Sequence, residues 1–246
     1  MAAGLDAARI VALPHDAFYI SNFISEEEEV WLLQKVASAP LPRWTQLSHR
    51  RLQTWPSALT ANNTLIAEPL PEWLVSPIIK PRFGRLGIFN NAPDQAPNHV
   101  LVNEYLPGQG IMPHEDGAAY HPLVATVSLG APIVLDIYEK NIHDATSVQD
   151  VGTNDRNKPR FRILQERRSL LITTGAMYTD FLHGIAETTR DENINQTGIC
   201  NWDLLREKEC FREGYYQRET RVSLTYRDVL KVAKMGNTMK FLGGRR

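Results

Sequence analysis

The sequence predicts a mostly β protein with flanking helices, on three observations. From residue 99 onward the chain breaks into short apolar runs of strand length, at 99–106, 123–129, 133–138, 160–165, 169–173 and 221–227, separated by turn signals. Runs spaced in this way suit an antiparallel sandwich or barrel. One well-signalled amphipathic helix precedes them, and 246 residues suffice for one large domain with a sizeable core.

The helix starts at Ser25, which with Glu28 three residues on reads as a capping box. The acidic run 26–29 sits at the positive end of the helix dipole, a complete account of its charge at this level. Val30, Leu32, Leu33 and Val36 form the apolar face, and Pro40 and Pro42 end the helix. Residues 43–97 are rich in proline and asparagine and show no long periodic element. In the run 123–129 apolar residues fall on both alternating faces, so its buried side is not readable from the pattern. Segments 140–159 and 188–219 are polar and read as long insertions or loops, a class that is usually functional or without order of its own.

Hydrophobic residues make up 43% and charged residues 22%, ordinary values for a soluble globular protein. A net charge of −1 excludes an overall basic field, so any nucleic-acid binding requires a local patch. Two cysteines, Cys200 and Cys210, are too few for a disulfide framework and match no zinc spacing, which points to a reducing compartment. No run approaches the 18 apolar residues of a membrane span, and residues 1–11 lack a secretory pattern. The expectation is a soluble monomer of cytoplasm and nucleus, without a membrane partner; no protein partner can be named.

The sharpest local feature is His114-Glu115-Asp116, reached through a Pro-Gly-Gln-Gly turn. Residues two apart on a strand share a face, so His114 and Asp116 can offer an imidazole nitrogen and a carboxylate oxygen to one ion. His183, in an apolar setting beside Gly184, is the best second histidine; a satisfied core histidine is its plain alternative. His15, His49, His99, His121 and His143 compete poorly by their settings. Two histidines and one carboxylate make the facial triad of non-haem iron oxygenases. Arg221 and Arg227 lie six apart on the last long run and therefore on one face, where a guanidinium can hold the far carboxylate of a dicarboxylate; a solvated strand face is the alternative. The order H-x-D, His, Arg is what this chemistry requires on a double-stranded β-helix, the jelly-roll or cupin-like form of the sandwich.

The pattern Asn103-x-Tyr105-x-x-Gly108-x-x-Ile111-x-Pro113-His114-x-Asp116, then His183-Gly184-Ile185, then Arg221 and Arg227, closely resembles the AlkB family of Fe(II)- and 2-oxoglutarate-dependent dioxygenases. Residues 23–53 and 98–130 are similar to its homologue 6 subgroup. The resemblance implies one dioxygenase domain over 1–246, with the helix and a candidate substrate lid in 1–97 and a jelly-roll core in 98–230 interrupted by the two polar insertions. It implies Fe(II) on His114, Asp116 and His183, with 2-oxoglutarate as co-substrate and O2 as oxidant. Asn103, Tyr105, Arg221, Ser223 and Arg227 are then co-substrate-site residues, with Arg227 in a supporting role beside the ligand aspartate or the substrate. Ser223 stands where repair members carry Asn, and Ala118 where they carry a base-reading Asp, so repair-type base selectivity is not implied.

The implied activity is oxidative demethylation of alkylated RNA or single-stranded DNA. A protein side-chain oxygenase and a non-catalytic nucleic-acid-binding module are the other two readings. For nucleic acid the candidate contacts are Trp44, His49, Arg50, Arg51 and Trp55, a mixture of cations and rings suited to phosphate contact and base stacking. Tryptophans anchored in the core beside a solvated basic loop are the competing account.

Overall fold

The computed structural model describes residues 5–13, 16–140 and 158–234. His15, His143 and all but the ends of the first polar insertion lie outside the described residues. In chain order the first strands are β1 (Ala17–Ile20), β2 (Trp44–Leu47), β3 (Arg50–Trp55), β4 (Leu65–Ile66) and β5 (His99–Tyr105). Then come β6 (Ile111–His114), β7 (Leu123–Leu129), β8 (Ile133–Glu139), β9 (Phe161–Gln165) and β10 (Leu170–Thr174). The last five are β11 (Phe181–Ile185), β12 (Arg190–Glu192), β13 (Tyr215–Gln217), β14 (Arg221–Arg227) and β15 (Val232–Ala233). A seven-stranded sheet has the order β1-β10-β7-β14-β5-β3-β2, and a four-stranded sheet the order β6-β11-β8-β9. Pairing is antiparallel throughout both, and the two sheets contribute opposite walls of one cavity, as the double-stranded β-helix expectation requires.

The predicted helix is α1 (Glu26–Ala37), and both hydrogen bonds of its capping box form. Its acidic run does more than face the dipole. Glu29 is fully buried and accepts from the Gly130 amide at 2.8 Å, from Arg167 at 2.6 Å and from Arg168 at 3.3 Å. Glu28, besides closing the box, pairs with Arg82 at 2.8 Å. A second helical segment, 72–86, winds as a π-helix over Val75–Phe83, where Pro77 and Pro81 remove amides that an α-helical ladder would use. Together α1 and this segment cover the outer face of the large sheet: Leu32, Val36, Leu74, Ile78 and Phe83 pack with Val100, Val127, Leu170, Leu224 and Tyr226.

The ambiguity of 123–129 now has a physical reason. Leu123, Ala125, Val127 and Leu129 pack against the helices, while Val124 and Thr126 line the cavity, so both faces of β7 are buried. Two expectations need correcting. Residues 44–55 are not a loop but a hairpin, β2–β3, which extends the large sheet through β5. Segment 188–219 is not a loose insertion. Its sparse apolar residues Ile194, Ile199, Leu205 and Phe211 are all buried in the cluster that contains Val134 and Leu164 of the small sheet. Asn201 pairs with both backbone groups of Leu164, covering the edge of β9 that would otherwise be open. Arg218 and Asp191 close the β12–β13 hairpin as a buried ion pair at 2.7 Å. Apolar residues scattered irregularly among polar ones give no readable period, which is why the segment looks like a loop in sequence.

Removing the Glu29 carboxylate leaves a buried amide and two arginines without their anion. Glu29→Ala is expected to lower unfolding stability by about 3 kcal/mol, read from urea denaturation. An unchanged midpoint would mean that Glu29 does not hold α1 to the sheet.

Candidate metal centre

The centre is built where the edge strand β6 meets β11. Cα pairing sets His183 opposite His114, and the imidazole centroids lie 4.4 Å apart. Two glycines let the backbones approach this closely: a Cβ on Gly110 would meet the Ile185 carbonyl at 2.2 Å, and one on Gly184 would meet the Ile111 carbonyl at 3.0 Å. Metal-ligating atoms of His114, Asp116 and His183 all lie within 4.8 Å of one another. His114 Nδ1 is 2.9 Å from the Met112 carbonyl. A carbonyl only accepts, so Nδ1 carries the proton and Nε2 keeps its lone pair for a metal. Burial, which outweighs the attraction of Asp116, pushes the His183 imidazole down to about 4 and keeps it neutral. Two imidazoles and one carboxylate are the donor set that Fe(II) takes, so the group fits.

The strand argument for His114 and Asp116 needs one correction. β6 ends at His114, and Asp116 lies in the loop beyond, so sheet periodicity does not aim its carboxylate. Side chains do. Arg227, at the end of β14, donates from Nη2 to Asp116 Oδ1. On one side Lys140 donates to Glu115 and to the Thr179 carbonyl, and on the other the Tyr178 hydroxyl donates to the Gly117 carbonyl at 2.8 Å. Three consecutive residues are thus held by side chains from three separate parts of the chain. Tyr178 also lines the cavity, with its pKa raised by burial and then by Asp116.

Alternate residues of β14, namely Arg221, Ser223, Thr225 and Arg227, all face the cavity, so the even spacing of the two arginines holds. Arg221 is almost fully buried. Nη2 donates to Ser128 at 2.9 Å and Gln165 at 3.2 Å, its Nε has no partner, and no carboxylate pairs with it among the described residues. Burial lowers its pKa to about 10, still far above neutrality, so it remains a buried cation without an anion. Tyr105 pairs with Arg221 across β5 and β14, and Asn103 with Ser223; both line the cavity. Ser128 and Gln165 were missed in sequence. Their signal was a polar residue placed late in an otherwise apolar run.

The five candidate substrate contacts separate. Arg50 lines the cavity and donates to Asn103 at 3.2 Å. Arg51 points to the other face of β3, pairs with Glu104 at 2.9 Å and lies 4.0 Å over the Trp44 ring. Trp44 and Trp55 pack against the core under the helices, and Trp55 meets Trp73 edge to face at 5.7 Å. His49 is exposed at the hairpin tip, 3.2 Å from Glu187. His99 is buried beside the Ser57 backbone, and neither ring nitrogen closes a hydrogen bond of normal geometry.

Two antiparallel sheets that enclose a His-Asp-His donor set, with an unneutralised arginine in the same cavity, define the class of non-haem iron oxygenases that use a dicarboxylate co-substrate. The model of the 2OG-Fe(II) oxygenase superfamily matches residues 66–227. The chain is 41% identical over 227 residues to a Danio rerio protein named "Probable RNA/DNA demethylase ALKBH6", covering 90% of this chain and 88% of that one. It is 28% identical over 232 residues to the Macaca fascicularis tRNA (carboxymethyluridine(34)-5-O)-methyltransferase ALKBH8, covering 85% of this chain but 31% of that protein. Among solved structures, OsALKBH1 shares the fold with a TM-score of 0.53 at 13% identity, over 88% of this chain and 99% of that one. The chain therefore belongs to the 2OG-Fe(II) oxygenase superfamily, among the AlkB homologues of the ALKBH6 kind.

Two outcomes are expected here. Tyr178→Phe frees the loop that carries Asp116 and is expected to weaken Mn(II) binding about tenfold, measured by titration; unchanged affinity would relieve the tyrosine of that role. Burial and then the Arg227 charge push His99 down to about 4. Between pH 6.5 and 4 the unfolded chain takes up a proton that the folded imidazole refuses, so stability falls as pH falls, by at most about 1.4 kcal/mol per pH unit. His99→Phe should flatten that acid limb in urea denaturation; an identical limb would place its origin elsewhere.

Proposed function

We propose that this protein oxidises alkyl groups on nucleic acid, RNA or single-stranded DNA, releasing N-methyl groups as formaldehyde. One observation carries the reading: a single cavity holds the His114, Asp116 and His183 donors together with Arg221, a buried cation that lacks an anion among the described residues. Fe(II) on the three donors would bring 2-oxoglutarate and O2 together, so that the co-substrate leaves as succinate and CO2 while an alkyl C–H bond becomes C–OH.

The chain's own residues supply position and exclusion. Arg221 gives the far carboxylate of the co-substrate a permanent charge, and Ser128 and Gln165 hold that guanidinium in place. Asn103, Tyr105 and Ser223 flank the same space. Arg227 aims Asp116 through the hydrogen bond from its Nη2. Leu135, Ile137 and Leu171 make the remaining wall apolar, which keeps water from the reacting carbon. The names of the zebrafish and macaque relatives support nucleic acid as the substrate class. The same reading takes residues 1–246 as one domain that acts as a monomer in cytoplasm and nucleus. The unpaired state of Cys200 and Cys210 supports a reducing compartment.

Succinate release by Fe(II)-loaded protein is the test, with methylated single-stranded RNA and DNA as substrates and the His114→Ala, Asp116→Ala double variant as control. Turnover that depends on the methyl group and vanishes in the double variant is expected. Turnover stimulated by methylated peptides but by neither nucleic acid would move the substrate to protein. No succinate together with no Fe(II) or 2-oxoglutarate binding would overturn the enzyme.

A further inference from the structure

The arginine doublet at the start of β3 is split by strand alternation. Arg51 is neutralised twice over, by both carboxylate oxygens of Glu104 and by the face of Trp44. Arg50 points the other way, into the cavity. Its Nε is fixed on Asn103, and no carboxylate pairs with it among the described residues. With Nε anchored, the two terminal nitrogens form a planar fork that makes no hydrogen bond to protein among the described residues, a geometry that suits two oxygens of one anion.

Charge balance asks for that anion. The ionised groups lining the cavity are three guanidiniums, Arg50, Arg221 and Arg227, and one carboxylate, Asp116. Fe(II) and the 2-oxoglutarate dianion cancel each other, so loading them leaves a surplus of two positive charges. Pairing Arg227 with Asp116, and Arg221 with the far carboxylate of the co-substrate on the reading above, leaves one positive charge on the metal with the co-substrate's other carboxylate and one on a guanidinium. Arg50 is left. It is half-buried, next to the exposed hairpin turn that carries His49, so a chain entering from solvent can reach it.

We propose that Arg50 is an anion subsite for the substrate, taking a phosphodiester of the nucleic acid next to the alkylated nucleotide. This rests on the nucleic-acid reading and deepens it: the strand is held at a phosphate inside the cavity by Arg50, while the neighbouring Arg51 and both tryptophans of the hairpin serve its packing. The subsite recognises charge and shape, not base identity, and so contributes affinity without sequence preference.

The experiment measures two affinities in parallel for wild type, Arg50→Gln, Arg50→Lys and Arg51→Gln, all loaded with Mn(II). One probe is 2-oxoglutarate, and the other is a fluorescein-labelled single-stranded oligoribonucleotide titrated across salt. Arg50→Gln is expected to leave 2-oxoglutarate binding within about twofold, to weaken the oligonucleotide about tenfold, and to reduce the slope of log K against log salt by about 0.7, the value for one lost phosphate contact on a single strand. Arg50→Lys keeps the charge without the fork and should restore the slope but only part of the affinity. Arg51→Gln should leave the slope unchanged. If Arg50→Gln instead weakens 2-oxoglutarate and spares the oligonucleotide, Arg50 belongs to the co-substrate and the proposal fails. If it changes neither, the fork holds no ligand and the proposal fails as well. A wild-type protein that binds no oligonucleotide would overturn the nucleic-acid reading itself, a result distinct from either failure at Arg50.

Discussion

Strand β14 lies in the middle of the large sheet, paired to β7 on one side and β5 on the other, and its two faces meet opposite demands. Val222, Leu224 and Tyr226 must be apolar because helices cover them. Arg221, Ser223, Thr225 and Arg227 must be polar because they line the cavity. Every residue of the strand is buried, so its polar half has no water to fall back on. A buried guanidinium is tolerable only when its hydrogen bonds and its charge find partners. Arg227 finds Asp116 within the chain. Among the described residues Arg221 finds hydroxyl and amide oxygens but no charge, and the cavity is arranged around that deficit.

The same constraint explains how the ligand set is held. His114 and His183 are placed by backbone pairing, which only the missing side chains of Gly110 and Gly184 make close enough. Asp116 has no such support, because the edge strand ends two residues before it. Its position depends on a guanidinium from β14 and on side-chain tethers to its neighbours Glu115 and Gly117. A carboxylate on a loop, aimed by side chains, is held less stiffly than two imidazoles on paired strands. The tethers to that loop come from residues with no place in the motif, Lys140 and Tyr178.

Around the cavity, the elements that look least structured in sequence carry much of the packing. The segment 188–219 seals the edge of β9 and fills a cluster with four scattered apolar side chains. The hairpin β2–β3 widens the large sheet, and its cation–ring contacts stiffen the sheet edge from the face away from the cavity. Glu29, one of four consecutive acids, is the one that ties α1 to the turn between β7 and β8.

By itself the sequence determined the capped helix, six strand runs of the core with their ends to within a residue or so, the H-x-D motif, and the placement of Arg221 and Arg227 on one face, while the choice of His183 came with the family resemblance. These follow from local rules: a capping box needs four residues, a strand face needs only parity, and a short motif carries its own spacing. The tertiary structure alone decided which face of β7 meets the cavity, that the tryptophans belong to the core, that 188–219 is packed, and that Arg50 is left facing inward while Arg51 is neutralised. Each of these depends on what lies across a sheet or beneath a helix, tens of residues away in the chain. Burial and charge neutralisation are set by those distant neighbours, and no pattern within a segment records them.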